Sequence, residues 1–257
     1  MGIFILLRFS LISLFLILMF TESFSQILPS YQGIYFKKKI IESNLILHLD
    51  ASNSSSFDSN NLTVWNDLSS SDNDLSLYQG SASFLSDDGG SLVFDGNDIY
   101  KIGTLNNLSS SNLTISIWIK TQDSNGYLAC ISRTPSNFAK EFILRLNGGK
   151  LHFWDYTGPY GFNTVSNSTV NNNEWKFVTF TKNNTSGKYY INDSLDKSVT
   201  AALNVTYGSD HFLLGKNWRD NNYGYSGFIG AVYLYTSTLT QSEIEKNYNA
   251  TKLRYGH

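Results

Sequence analysis

The sequence predicts an all-β protein, two antiparallel sheets packed as a sandwich and closed by a short C-terminal helix. Three observations carry this. Short segments in which apolar and polar residues alternate recur along the chain, the period-two pattern of half-buried strands. Aromatic residues make up 15% of the 257 positions, with 17 Phe, 16 Tyr and 5 Trp, the residue types that fit a pleated, half-buried surface. No alternation of strands with helices is visible, which disfavours a doubly wound nucleotide-binding sheet.

The strands follow in order. Residues 45–50 (LILHLD) are apolar with alternation, and 91–95 (SLVFD) follow the turn Gly89-Gly90. Residues 113–120 (LTISIWIK) alternate most cleanly: Leu113, Ile115, Ile117 and Ile119 face one way, Thr114, Ser116, Trp118 and Lys120 the other. Residues 142–146 and 150–156 flank Asn147-Gly148-Gly149, residues that accept positive φ in a short hairpin loop. Residues 175–182 (WKFVTFTK) and 187–192 (GKYYIN) pair across 183–186, and 211–214 and 228–235 supply the last strong strands. The helix is announced by Thr240-Gln241-Ser242-Glu243, a capping box, with Leu239 and Ile244 placed as a hydrophobic staple. Its pattern runs to about Lys252, with Ile244 and Tyr248 on one face.

The first 25 residues read as an address. Arg8 and the amino terminus are positive, 9–20 (FSLISLFLILMF) are apolar, and Ser23-Phe24-Ser25 offers small residues before a cut at Gln26. The alternative is a retained signal anchor. The apolar run is shorter than the roughly 18–20 residues that span a bilayer, and extending it backwards would bury Arg8. Residues 26–43 form a lead-in with a basic run at Lys37-Lys38-Lys39, and 44–257 form one sandwich domain. The expected product is secreted, with no membrane span after cleavage. A net charge of −2 excludes a strongly basic nucleic-acid binder. The single cysteine, Cys130, excludes an intrachain disulfide framework and reads as buried and inert. Asn-X-Ser/Thr triplets recur from Asn53 to Asn249, as an Asn- and Ser-rich composition produces by itself.

The ordered segments SNLILHLDASNSSSF, VWNDLSS, GGSLVFDG, LTISIWIK, NEWKFVTFTKN, GKYYIND and GFIGAVYLYTSTLTQSEIEKNYNA together resemble laminin-G-like jelly-roll domains of the concanavalin-A-like lectin/glucanase superfamily. The resemblance covers Leu45 to about Tyr255. It implies two curved antiparallel sheets, with the last strand returning to the centre of one sheet beside the first and Trp65 filling the sandwich edge. The chain departs from the family at Gly230-Ala231-Val232, where relatives carry an acidic pair, so no role of those acids is carried over.

Enzymes in the same superfamily set a test for catalysis. A retaining glycosidase needs two carboxylates about 5–5.5 Å apart, supplied in laminarinase-type relatives by a Glu-x-Asp-x-Glu type of strand. The six Glu of this chain (22, 42, 141, 174, 243 and 245) form no such motif, and the four His (48, 152, 211, 257) lack metal-ligand spacing. His152 reads as structural. The expected function is therefore a non-catalytic binding module for carbohydrate or for a cell or particle surface. The alternatives are a structural or adhesion module that binds an extracellular protein, and an unfamiliar polysaccharide-active enzyme. Sugars are held by aromatic platforms plus fixed polar groups, and two segments have that mixture. One is 154–162, with Trp154, Tyr156 and Tyr160; the other is 217–225, with Trp218, Asp220 and Tyr223. Against this, Trp154 could pack inward and Tyr223 or Tyr225 could belong to the next strand. Many laminin-G-like domains hold one calcium, and Asp95 and Asp98 on one tight turn are the candidate ligands. Turn-shaping hydrogen bonds are the plainer account of that pair.

Overall fold

The computed structural model describes residues 39–257 other than 88, 109–110, 133–140, 156–160, 205–206, 208–210 and 218–221. The expected signal peptide and most of the lead-in lie outside the described residues. Seventeen strands are assigned among those described, numbered here along the chain. One sheet contains β1 (Leu45–Asp50), β5 (Ser83–Leu85), β6 (Ser91–Asp95), β8 (Asn112–Lys120), β13 (Lys176–Asn183), β14 (Ser186–Ile191), β15 (Ser194–Thr200) and β17 (Ser226–Tyr235). Its order is β15-β14-β13-β8-β17-β6-β5. β6 pairs with the start of β17 and β1 with its end, both along one edge, while β8 runs down the other. The last strand thus sits at the centre of the sheet beside the first, as the resemblance implies.

The second sheet contains β2 (Phe57–Asp58), β3 (Asn61–Trp65), β4 (Leu75–Gln79), β7 (Ile99–Ile102), β9 (Asn125–Ser132), β10 (Phe142–Asn147), β11 (Lys150–Asp155), β12 (Asn163–Thr169) and β16 (His211–Leu214). Its order is β12-β11-β10-β9-β16-β7-β4-β3-β2. Strand pairing is antiparallel throughout both sheets. The protein is an all-β jelly-roll sandwich with one short C-terminal helix.

The core lies between the sheets. Leu113, Ile115, Ile117 and Ile119 of β8 enter it, as their alternation predicts, and meet Leu144, Phe153, Phe212 and Leu214 from the second sheet. Phe153 stacks on Phe180 at 3.9 Å between ring centroids. Trp65 is fully buried and meets Phe57 and Tyr100 edge-on, each at 5.9 Å.

The other face of β8 is buried too. The helix α1 (Gln241–Thr251) and the 3-10 turn Lys252–Tyr255 that follows pack over it. There Trp118 stacks on Tyr255 at 4.3 Å and donates from Nε1 to Thr251 Oγ1 at 2.9 Å. The capping box forms: Thr240 Oγ1 accepts from the Glu243 amide, and Glu243 Oε2 accepts from the Thr240 amide. The end of the lead-in joins this layer, with the Ile41 amide donating to Asn247 Oδ1 at 2.7 Å and the Tyr235 hydroxyl donating to the Ile41 carbonyl.

At one side the two sheets are stitched edge to edge. The Asp196 carboxylate on β15 accepts from the Asn167 and Ser168 amides of β12, and Lys197 Nζ donates to the Val165 carbonyl. Exposed backbone groups of an edge strand invite pairing with another chain, and these side chains occupy them.

Candidate functional site: a donor-rich aromatic face on the second sheet

The first sheet has its outer face covered by α1; the second sheet carries the candidate site on its own outer face. Strand alternation decides which residues point there. In β10, Phe142, Leu144 and Leu146 enter the core, so Ile143 and Arg145 point outward. Pairing across β10, β11 and β12 sets Ile143 opposite Trp154, Arg145 opposite His152, and Trp154 opposite Asn163. On the other side Ile143 pairs with Cys130 of β9, which pairs with Leu213 of β16. Ile99, Tyr127, Cys130, Ile143 and Leu213 form an apolar cluster, and Trp154 packs against it, half-buried. Cys130 is fully buried, as its segment suggested.

Beside this cluster runs a polar row. Arg145 Nε donates to His152 Nδ1 at 2.9 Å, and His152 Nε2 lies 2.9 Å from Asn163 Oδ1. A guanidinium only donates. His152 Nδ1 is therefore the acceptor, Nε2 carries the proton, and the imidazole is neutral. Burial holds the His152 pKa below its ordinary value, a hydrogen bond to Asn163 works against this, and the Arg145 charge adds to it. The guanidinium lies over two aromatic rings, 5.9 Å from the Tyr127 centroid and 5.8 Å from that of Tyr223. Those rings meet edge to face at 6.4 Å.

Tyr223 is fixed by its backbone. Its carbonyl accepts from the Tyr127 amide at 2.9 Å, and Gly224 bridges to Tyr127 in parallel. A Cβ on Gly224 would stand 1.7 Å from the Gly96 carbonyl oxygen, so only glycine lets the chain pass there. Tyr223 is 41% exposed, whereas Tyr225, two residues on, is completely buried in the core. Trp154 and Tyr223 both lie on this outer face, Tyr225 belongs to the core, and Tyr156, Tyr160, Trp218 and Asp220 lie outside the described residues.

Asp155 follows Trp154 but points into the core, where its carboxylate accepts from the Phe162 amide and the Tyr207 hydroxyl. Burial pushes its pKa up. It ties together both ends of the segment that leads from Trp154 to Phe162.

The sequence reading passed over Arg145, Tyr127 and Asn163 and took His152 as structural. A signal for Arg145 was present. A two-residue turn at Gly148-Gly149 closes with Asn147 opposite Lys150, and that register sets Arg145 beside His152 on one face.

The Asp95/Asp98 turn is separate. Asp98 is buried; its Oδ1 accepts from the Ser81 amide and its Oδ2 from the Asp95 amide, while Asp95 Oδ1 accepts from the Asn97 amide. Burial raises the Asp98 pKa despite the two backbone hydrogen bonds, and the neighbouring Asp95 charge adds to the rise. Calcium takes six to eight oxygens. Three of the four carboxylate oxygens here already hold backbone amides, and a Cβ on Gly80 would fall 2.2 Å from Asp98 Oδ1. The two carboxylates by themselves cannot complete that shell. No group of three or more His, Cys, Asp or Glu that could hold a metal occurs among the described residues.

Comparisons with known proteins agree with the architecture. Residues 94–245 match the profile of a laminin G family in the concanavalin A-like lectin/glucanases superfamily. No curated protein matches the chain in sequence. Among solved structures, one similar fold is domain 4 of AbnA, an extracellular arabinanase of Geobacillus stearothermophilus, in complex with arabinotriose. It has a TM-score of 0.62 and 19% identity, over 82% of this chain and all of that one. Another is the binding domain of botulinum neurotoxin DC, solved with SialylT (TM-score 0.56, 15% identity, 82% of this chain and 52% of that one). The same domain solved with rat synaptotagmin II gives a TM-score of 0.56 and 16% identity, over 81% of this chain and 52% of that one. The chain therefore spans about half of these toxin domains, and identities this low speak to fold.

Proposed function

The chain belongs to the concanavalin A-like lectin/glucanases superfamily, and from that premise we propose that it is a secreted, non-catalytic module that binds carbohydrate on the outer face of its second sheet. One observation carries the reading: Trp154 and Tyr223 share that face with fixed polar groups, Arg145, His152 and Asn163. Aromatic rings offer stacking surface for the C–H faces of a sugar, and Arg145 and Asn163, both held by the buried His152, offer hydroxyl partners. The similar domain solved with arabinotriose, and the toxin domain solved with SialylT, support a glycan ligand. The domain solved with rat synaptotagmin II supports the second reading, a protein-binding adhesion module on the same face.

No helix among the described residues is long and apolar enough to cross a membrane. The leader-like residues 1–25 support export, and the proposed boundaries are a signal peptide at 1–25, a lead-in at 26–43 and one sandwich at 44–257. Trp218 and Asp220 are proposed members of the site from their sequence context alone.

A glycan array with the purified mature chain tests the proposal. We expect binding to a restricted set of oligosaccharides, lost in Trp154→Ala and Trp218→Ala with the melting temperature within a few degrees of the parent. Capture of one extracellular protein without any glycan binding would favour the adhesion reading. Release of reducing sugar that disappears when one carboxylate is replaced would overturn the non-catalytic assignment.

A further inference from the structure

The polar row on the proposed face is built almost wholly from donors. Arg145 spends Nε on His152, and neither Nη atom has a hydrogen-bond partner among the described residues. His152 offers no second acceptor, because Nδ1 receives from Arg145 and Nε2 faces Asn163 Oδ1. Asn163 Oδ1 already accepts from His152, and its amide N–H groups remain to be presented. Arg145 has no salt-bridge carboxylate among the described residues. It lies instead over Tyr127 and Tyr223, the kind of surface on which a weakly hydrated guanidinium rests while its fork stays available.

We propose that Arg145 makes this face selective for glycans that carry a carboxylate, a uronic or sialic acid, with the two Nη groups holding the carboxylate oxygens in a fork. This rests on the carbohydrate-binding reading above. The planar fork matches a carboxylate bidentately, and the charge-assisted bonds so formed are roughly twice as strong as neutral ones. One guanidinium beside a neutral imidazole supplies a single positive charge, which matches one carboxylate rather than a densely sulfated chain. Trp154, two residues beyond His152 on the same face of β11, is placed to stack on the sugar that bears the acid.

The test uses matched pairs on the mature protein: tri-galacturonate against its methyl ester, and sialyllactose against its methyl ester, each measured by calorimetry. Esterification removes the charge and leaves the ring. We expect one acid of the two pairs to bind at least about tenfold more tightly than its ester, a difference of about 1.4 kcal/mol or more; which pair responds distinguishes uronate from sialate. Arg145→Gln should erase the difference between acid and ester. Arg145→Lys, which keeps charge without the fork, should lose most of the preference. Since the acid-ester comparison on the parent protein needs no variant, an unfolded variant cannot hide the answer. Equal binding of acid and ester in both pairs would overturn the carboxylate proposal and leave the carbohydrate reading intact. Absence of binding to these four and to every glycan of the array would overturn both.

Discussion

His152, which the sequence reads as structural, is held in one tautomer by its neighbours. It is 3% exposed, accepts from Arg145 and donates toward Asn163, so protonation would destroy an acceptor and set two cations side by side. Its folded-state pKa is depressed, chiefly by burial. Between that value and the unfolded value near 6.5 the unfolded chain binds the extra proton. Stability should therefore be fully present above about pH 6.5 and decline as the pH falls through this window. Urea midpoints between pH 7.5 and 5 should show the decline, and His152→Gln should flatten part of it. His48, whose pKa burial also lowers, accounts for slope that remains. An unchanged slope in the variant would mean that His152 is not neutral by necessity. The Asp98 turn gives a second expectation at this scale. Asp98→Ala removes the acceptor of two backbone amides and should cost about 2–4 kcal/mol, on the scale of hydrogen bonds to charged groups. The melting temperature of the parent should be the same in chelator and in excess calcium. A rise of several degrees in calcium that Asp95→Asn abolishes would show that the turn completes an ion's shell with groups beyond its two carboxylates.

Among the elements, α1 was the most legible and does more than close the chain. Its capping box and staple were readable from Thr240, Glu243, Leu239 and Ile244, because these act within one turn. Thr240→Ala should destabilise the fold by about 1 kcal/mol, measured by chemical denaturation. What α1 covers was not readable. The alternation in β8 suggested one buried and one open face, yet Thr114, Ser116 and Trp118 on the second face are buried as well. Trp118→Ala would leave a hole beneath Tyr248 and Tyr255 and the Thr251 hydroxyl without its donor. A loss of about 3–5 kcal/mol is expected; a loss below 1 kcal/mol would mean that the helix is not docked on this face. The polar edge strands β12 and β15 escaped the sequence reading because NTVSNST and SLDKSVT carry little apolar alternation. Their pairing is imposed by the neighbouring strands and by the Asp196 and Lys197 contacts between the sheets.

For the whole molecule, the two ends of the sandwich meet. Arg254, just past α1, donates to both oxygens of Asp50 at 2.9 and 2.8 Å, while β17 pairs with β1. Export belongs to this scale too. The protein recovered from its source should begin at Gln26, read by mass spectrometry of the intact chain, and should leave the membrane fraction. Recovery with residues 1–25 attached and membrane-bound would establish the signal anchor instead.

The sequence by itself determined the class of fold, the main core strands, the helix start and the hairpin at Gly148-Gly149. These rest on periodicity and turn chemistry within a few residues, where the covalent chain dictates neighbours. It also pointed to Trp154 and Tyr223, as aromatics beside strand ends. Only the tertiary structure decided that Tyr225 belongs to the core while Tyr223 stays exposed. It alone set Arg145 over Tyr127 and Tyr223, residues 18 and 78 positions away in the chain, and left its fork without an acid among the described residues. Contacts of that kind depend on which strands pair, and strand order carries no local signature in the residues that end up touching.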